Sequence, residues 1–269
     1  MKKKALLALV LCLAFVMSMS LAGCGDKSET GDSGELDPYK IYNDAAAKMK
    51  DKKDMQARVD IDMKIGIRGE TVDTKSSMDI EQVTKSEKEV EMACKMNMTS
   101  EQEDLDMDMS MWYKDGWMYI EAAGTKTKQK VDVEDAASKM SVNLGTEKMT
   151  KDLADKATAV KDGDVTNIEF RIRGEKVQEL MSKMMKSGDS SVTDVFQALG
   201  DVKTGDMTLS AVVDEEGYMT DVKMSEDMSI STNGTEGKTD FEMTMSDIKI
   251  DQGLVIDFPS FDDYTEASV

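Results

Sequence analysis

The stretch Met55-Gln56-Ala57-Arg58-Val59-Asp60-Ile61-Asp62-Met63-Lys64-Ile65-Gly66-Ile67-Arg68 decides the fold. Met55, Ala57, Val59, Ile61, Met63, Ile65 and Ile67 alternate with polar residues or glycine along its whole length. A period of two puts every apolar side chain on one face of an extended chain. The stretch is therefore a strand with one buried and one solvated face, as antiparallel sheets have. At about 3.3 Å per residue it is roughly 45 Å long, which implies a twisted, curled sheet.

The same period recurs downstream. Val72 to Val83 is the weakest run, with Thr74 and Ser76 on its apolar side. Val90, Met92, Cys94, Met96 and Met98 make a clear strand, as do Leu105, Met107, Met109, Met111 and Tyr113. Lys114-Asp115-Gly116 is a hairpin turn, and Trp117 and Tyr119 continue on the return strand. Ile168, Phe170 and Ile172 mark a further strand, and three more cover Met207–Val213, Tyr218–Ile230 and Phe241–Ile250. The last changes phase between Met245 and Ile248, which predicts a bulge near Asp247. A faint repeat links Lys114–Tyr119 with Asp214–Met219; both read as turns entering an aromatic-bearing strand.

Helical spacing appears in four places. Asp37-Pro38 reads as an N-cap followed by a first-turn proline, with Ile41, Ala45 and Met49 on one stripe running to about Lys52. Residues 133–158 carry Val133, Ala136, Ala137 and Met140, then Met149, Leu153 and Ala157. Val177, Leu180, Met181 and Met184 form a third stripe, and Val192, Val195, Phe196 and Leu199 a fourth. The tail Val255-Ile256-Asp257-Phe258-Pro259 is expected to end the order. The fold class is α+β: a long antiparallel meander, an inserted helical segment and a second meander.

The N-terminus sets the expected compartment. Lys2, Lys3 and Lys4 precede an almost wholly apolar run from Ala5 to Met19, which ends in Leu21-Ala22-Gly23-Cys24. A basic n-region, a short apolar run and small residues before a cysteine resemble a bacterial lipoprotein signal. Residues 1–23 are then the signal peptide and Cys24 carries a diacylglycerol with further acyl chains such as palmitate. Residues 24–37, polar and acidic, form a disordered tether. Residues 38–262 are a single domain and 263–269 a tail. The expected location is extracytoplasmic, with the lipid on Cys24 as the link to the membrane; in a Gram-positive cell this is the outer leaflet of the cytoplasmic membrane.

Charge and composition narrow the function. The net charge is -20, and loss of residues 1–23 would remove three lysines and no acid. Such a surface repels nucleic acid and anionic headgroups, so nucleic acid is excluded as a partner. Histidine is absent, which removes Ser-His-Asp and Cys-His catalysis and histidine metal sites. Cys94 is the one cysteine beyond Cys24, so the domain has no internal disulfide. Phosphate loops, zinc spacings and serine elbows do not occur. Asp104, Asp106 and Asp108 alternate opposite Leu105, Met107 and Met109 without a calcium-loop pattern, and read as a solvated face. No catalytic residue, metal ligand or cofactor is assigned.

Methionine is the unusual residue, at 25 positions. Met92, Met96, Met107, Met109 and Met111 fall on strand faces, and methionine makes a soft wall for an apolar ligand. Ordinary core packing is the competing reading. A copper(I) site of thioethers and the Cys94 thiolate is a third, although alternate positions on one strand lie about 7 Å apart, wide for one ion. Tyr113, Trp117 and Tyr119 are candidates for the mouth of such a ligand site, or staples of their hairpin.

The lipoprotein signal, acidic tether, N-terminal helix, long strands, helical insert and closing meander together resemble the LolA/LppX-like half-barrel lipoproteins. The local matches are Trp112-Tyr113-Lys114-Asp115-Gly116-Trp117-Met118-Tyr119, Val213-Asp214-Glu215-Glu216-Gly217-Tyr218 and Ile256-Asp257-Phe258-Pro259. Uncharacterised Gram-positive lipoproteins of the same layout are more similar still. The resemblance implies one large curved antiparallel sheet, a half-barrel, with helices on its concave face. It also implies an extracytoplasmic protein that binds a lipid or other hydrophobic molecule without being an enzyme. An envelope interaction module with no small ligand is the alternative.

Overall fold

The computed structural model describes residues 36–50, 52–67, 70–86, 89–100, 105–133, 136, 148–186, 201–232 and 235–267. Twelve strands form one sheet, in the order β12-β6-β5-β4-β3-β2-β1-β11-β10-β9-β8-β7. They are β1 (Asp54–Ile67), β2 (Glu70–Ser86), β3 (Glu89–Ser100), β4 (Leu105–Lys114), β5 (Trp117–Ala122) and β6 (Thr125–Lys130) in the first meander. The second holds β7 (Ala154–Asp162), β8 (Val165–Ile172), β9 (Asp201–Val213), β10 (Met219–Thr232) and β11 (Thr235–Ile250), followed by the short β12 (Thr265–Glu266). All pairings are antiparallel except β12 with β6. The two meanders join where β1 pairs with β11.

The alternation in β1 decides one face, as its sequence predicts. Ala57, Val59, Ile61, Met63 and Ile65 are all buried. Their partners Met245, Met243 and Phe241 on β11 continue the same face. We call this the core face and its opposite the reverse face. The predicted bulge is present: Gln56 pairs with Lys249 and Arg58 with Ser246, and Asp247 between them has φ of 52°. The turn at Asp115-Gly116 has φ of 54° and 79°, the conformation that joins two twisted strands with two residues. Its faint repeat is built differently. There Gly217 donates its N–H to the Asp214 carbonyl at 3.0 Å, and Tyr218 N–H meets the Asp214 carboxylate at 2.8 Å.

Helix α1 (Pro38–Lys50) starts as its sequence predicts, with the Asp37 carboxylate accepting from Tyr39 and Lys40 N–H at 3.0 and 3.2 Å. Its Tyr42 meets Phe170 on the core face edge-on, at 5.3 Å between centroids. Helix α2 (Gly174–Lys186) lies against β9 and buries Val177 and Leu180. A bulge in β9 serves it: opposite Asp227 the pairing skips Gly205 and Asp206. This turns the Asp206 carboxylate onto Gly174 N–H at 3.0 Å and onto the Arg171 guanidinium at 2.8 Å. Those two donors hold the Asp206 carboxyl below its usual range.

Three sequence expectations change. The helical reading of Met149, Leu153 and Ala157 fails: Thr150–Ala154 is a single turn, and Ala154–Asp162 is strand β7. The i, i+4, i+8 spacing joined that turn to an edge strand whose one buried residue is Ala154. Strand β6, Thr125-Lys126-Thr127-Lys128-Gln129-Lys130, has no apolar residue and escaped the alternation test. The chain also does not lose order at Pro259. The predicted helix at Val192–Leu199 and the residues Ala137 and Met140 lie outside the described residues.

Candidate functional site

Adjacent strands bring the methionines of the core face together. Met96 pairs with Met109, Met98 with Met107, Cys94 with Met111, and Met92 with Tyr113. Directly opposed side chains are about 5 Å apart at Cβ, so these rows form one continuous sulfur-rich surface. Met92, Met96, Met98, Met111 and Tyr113 are buried, while Met107 and Met109 are only partly so. Met118 of β5 extends the row beside Tyr113.

Cys94 sits in the middle of this surface as a free, buried thiol. Burial, with a smaller contribution from Asp79, pushes its thiol up to about 12. The neutral S–H form is therefore the one the site favours, which suits packing and disfavours thiolate ligation.

The structure splits the eight candidate ligand residues between two faces. Met92, Met96, Met107, Met109, Met111 and Tyr113 share the core face. Trp117 and Tyr119 lie on the reverse face, because the two-residue turn sets Lys114 opposite Trp117 and Trp112 opposite Tyr119. Trp112 and Tyr113 are consecutive and so must point to opposite sides.

The reverse face carries a second, smaller core that the sequence did not announce. Ala93 and Trp112 are buried there under Ile256 and Tyr264 from the C-terminal segment. Phe261 stacks on Tyr119 at 3.7 Å and 12°, and meets Trp112 at 6.0 Å. Tyr264 donates its hydroxyl to Glu121 at 3.1 Å, and Lys126 pairs with Asp263 at 2.8 Å. The signal was present as Ile256, Phe258, Phe261 and Tyr264, spaced too irregularly for a strand or a helix. The Lys130 ammonium lies 5.1 Å from the Trp117 ring centroid.

Among the described residues no group of three or more carboxylates and thiols is placed to hold a metal ion. None of the described helices is long and apolar enough to cross a membrane.

A search of curated proteins finds no match. Among solved structures, the chain is similar to LprF from Mycobacterium bovis, with 11% identity over 84% of this chain and 99% of that one, at a TM-score of 0.42. It is similar to the lipoprotein LppX from Mycobacterium tuberculosis, with 12% identity over 82% and 98% and a TM-score of 0.38. It is similar also to a LolA superfamily protein from Nitrosomonas europaea, with 9% identity over 83% and 96% and a TM-score of 0.23. Residues 37–260 match the model of a family of unknown function, and the chain belongs to that family, DUF6612.

Proposed function

We propose that this chain is an extracytoplasmic lipoprotein that holds a hydrophobic molecule, a lipid by class, against the core face of its sheet. In this reading the sheet curls into a half-barrel with the core face concave and helices over it. The observation that carries the reading is the methionine surface of β3 and β4. Its cross-strand pairs are flexible side chains with no polar partner to fix them, and Met107 and Met109 are left partly exposed. Unbranched thioethers adapt to chains of variable shape, which a close-packed wall of branched residues does not. The two described helices lie over other strands, α1 against β7–β10 and α2 against β9. Burial of one methylene contributes about 0.8 kcal/mol, so an acyl chain of ten supplies roughly 8 kcal/mol before ordering costs.

The ligand residues in this reading are Met92, Met96, Met107, Met109, Met111 and Tyr113. Cys24, acylated, ties the protein to the membrane, since an acidic surface offers no basic patch to help. The test has two arms. Organic extraction of the purified full chain, read by mass spectrometry, is expected to release lipid. Met109→Asp is expected to lose it while circular dichroism stays unchanged. A chain that carries no lipid and binds no fluorescent fatty acid would instead be a packed interaction module. For the anchor, wild type should partition into the detergent phase and Cys24→Ala should not; an unmodified N-terminus at Cys24 rules the anchor out.

A further inference from the structure

The buried polar residues of the described chain are Thr74, Ser76, Ser100, Glu226 and Thr239, and all of them lie on the core face. The register fixes this. Glu226 pairs with Met207 and Phe241, Thr239 with Ile65 and Met228, Thr74 with Met63, and Ser76 with Ile61 and Met98. Each sits among the apolar partners of β1.

They also lie in one half of the face. On β1 the levels concerned are Ile61, Met63 and Ile65, in the half toward the turns that join β1 to β2 and β10 to β11. At the other end of the same face stand Ala57, Val59, Met78, Val222 and Met245, with no polar side chain among them. The face is thus amphipathic along its strands. The polar groups stand on both sides of β1, Glu226 and Thr239 on β10 and β11 and the hydroxyls of Thr74, Ser76 and Ser100 on β2 and β3, so that β10 to β3 span about 19 Å at roughly 4.8 Å per strand with apolar β1 between them.

Four of these groups have no partner. Ser76 Oγ, Ser100 Oγ, Glu226 Oε1 and Thr239 Oγ1 are buried without a hydrogen bond. Buried polar atoms are nearly always satisfied, and several exceptions on one face call for a partner beyond the described residues. Glu226 is the most demanding, at 5% exposure. Burial, and secondarily Asp227, push its carboxyl up to about 7, so the uncharged form is readily reached.

Resting on the reading of the core face as a lipid site, we infer that these polar groups recognise the polar head of an amphiphile, and that the head is an uncharged polyol. The chemistry selects it. A protonated carboxyl and hydroxyls both donate and accept, as the hydroxyls of glycerol or a sugar do. An anionic head meets Glu226 and no cation, since no lysine or arginine is paired onto this stretch of the face among the described residues. An ammonium head would need a buried ion pair, whose desolvation cost the hydroxyls do not offset.

The test uses four probes with one oleoyl chain and different heads: monooleoylglycerol, oleate, oleylamine and methyl oleate. Each is presented to the delipidated full chain, and the bound fraction is read by native mass spectrometry. Monooleoylglycerol is expected to bind about tenfold tighter than methyl oleate, the discrimination that one or two hydrogen bonds supply. Glu226→Leu and the isosteric Thr239→Val should each erase most of that difference and leave methyl oleate binding unchanged. If Glu226→Leu does not fold, Thr239→Val carries the comparison alone. Equal binding of all four probes, or tightest binding of oleate or oleylamine, overturns the head assignment and leaves the lipid site standing. Binding of none overturns both.

Discussion

Glu226 lies inward on β10, on the side of Met224 and Met228, and is buried there. Burial has a consequence for pH. The ordinary value of 4.5 rises to about 7 on folding, so the folded chain holds the proton more tightly than the unfolded one. The contribution is complete below about 4.5 and lost as pH rises through about 7. Urea unfolding across that window should show stability falling by roughly 3 kcal/mol, at 1.36 kcal/mol per unit. Glu226→Gln should flatten the slope; parallel curves for the two proteins would place the titration elsewhere. Cys94 gives a simpler expectation. With its thiol neutral and covered, the peptide carrying Cys94 should stay unlabelled by maleimide at pH near 8 in the folded chain, and label fully in urea. Rapid labelling without denaturant would contradict the packing of β2, β3 and β4 around it.

The elements most legible in the sequence were those with a clean period and a strong turn. β1, β3 and β4 needed nothing beyond alternation, and the phase change between Met245 and Ile248 located a bulge near Asp247. β7 failed because its deeply buried contribution is alanine and a preceding turn mimicked a helical step. The second bulge in β9 left no phase signal, because Thr204, Gly205 and Asp206 include no apolar residue to fall out of step. There the fold demands glycine. A Cβ on Gly205 would run into the Asp227 carbonyl. Gly205→Ala should cost about 1–3 kcal/mol through this overpacking and loosen the start of α2. Thermal denaturation measures the first effect, and hydrogen exchange over Gly174–Val177 the second. The reverse face makes a similar claim for Trp112, buried at 5% under Phe261 and Tyr264. Trp112→Ala should cost about 3–5 kcal/mol. It should also raise exchange across residues 256–266 while leaving β10 and β11 protected. Unchanged exchange there would mean that the C-terminal segment is held by Tyr119 and Lys126 alone.

At the scale of the molecule, the net charge of -20 opposes the compact state. The Debye length shrinks from about 30 Å at 0.01 M salt to about 10 Å at 0.1 M, so added sodium chloride should raise the melting temperature. A melting temperature that falls with salt would show that the surface ion pairs, such as Lys223 with Glu242 and Arg171 with Asp206, outweigh the excess of acids. The sheet itself has an order of assembly written into its strand sequence. β1 lies at the centre, with β2 on one side and β11 on the other. As the chain emerges from its N-terminus during synthesis, β1 to β6 appear first and zip by local hairpins. The second margin of β1, fourteen residues of open backbone with an apolar side, then waits until nearly the whole chain has emerged. An unpaired margin of this length is a template for a neighbouring copy. Synthesis would therefore carry a vulnerable interval whose length is set by the separation of β1 from β11, and a chaperone is the natural guard for it.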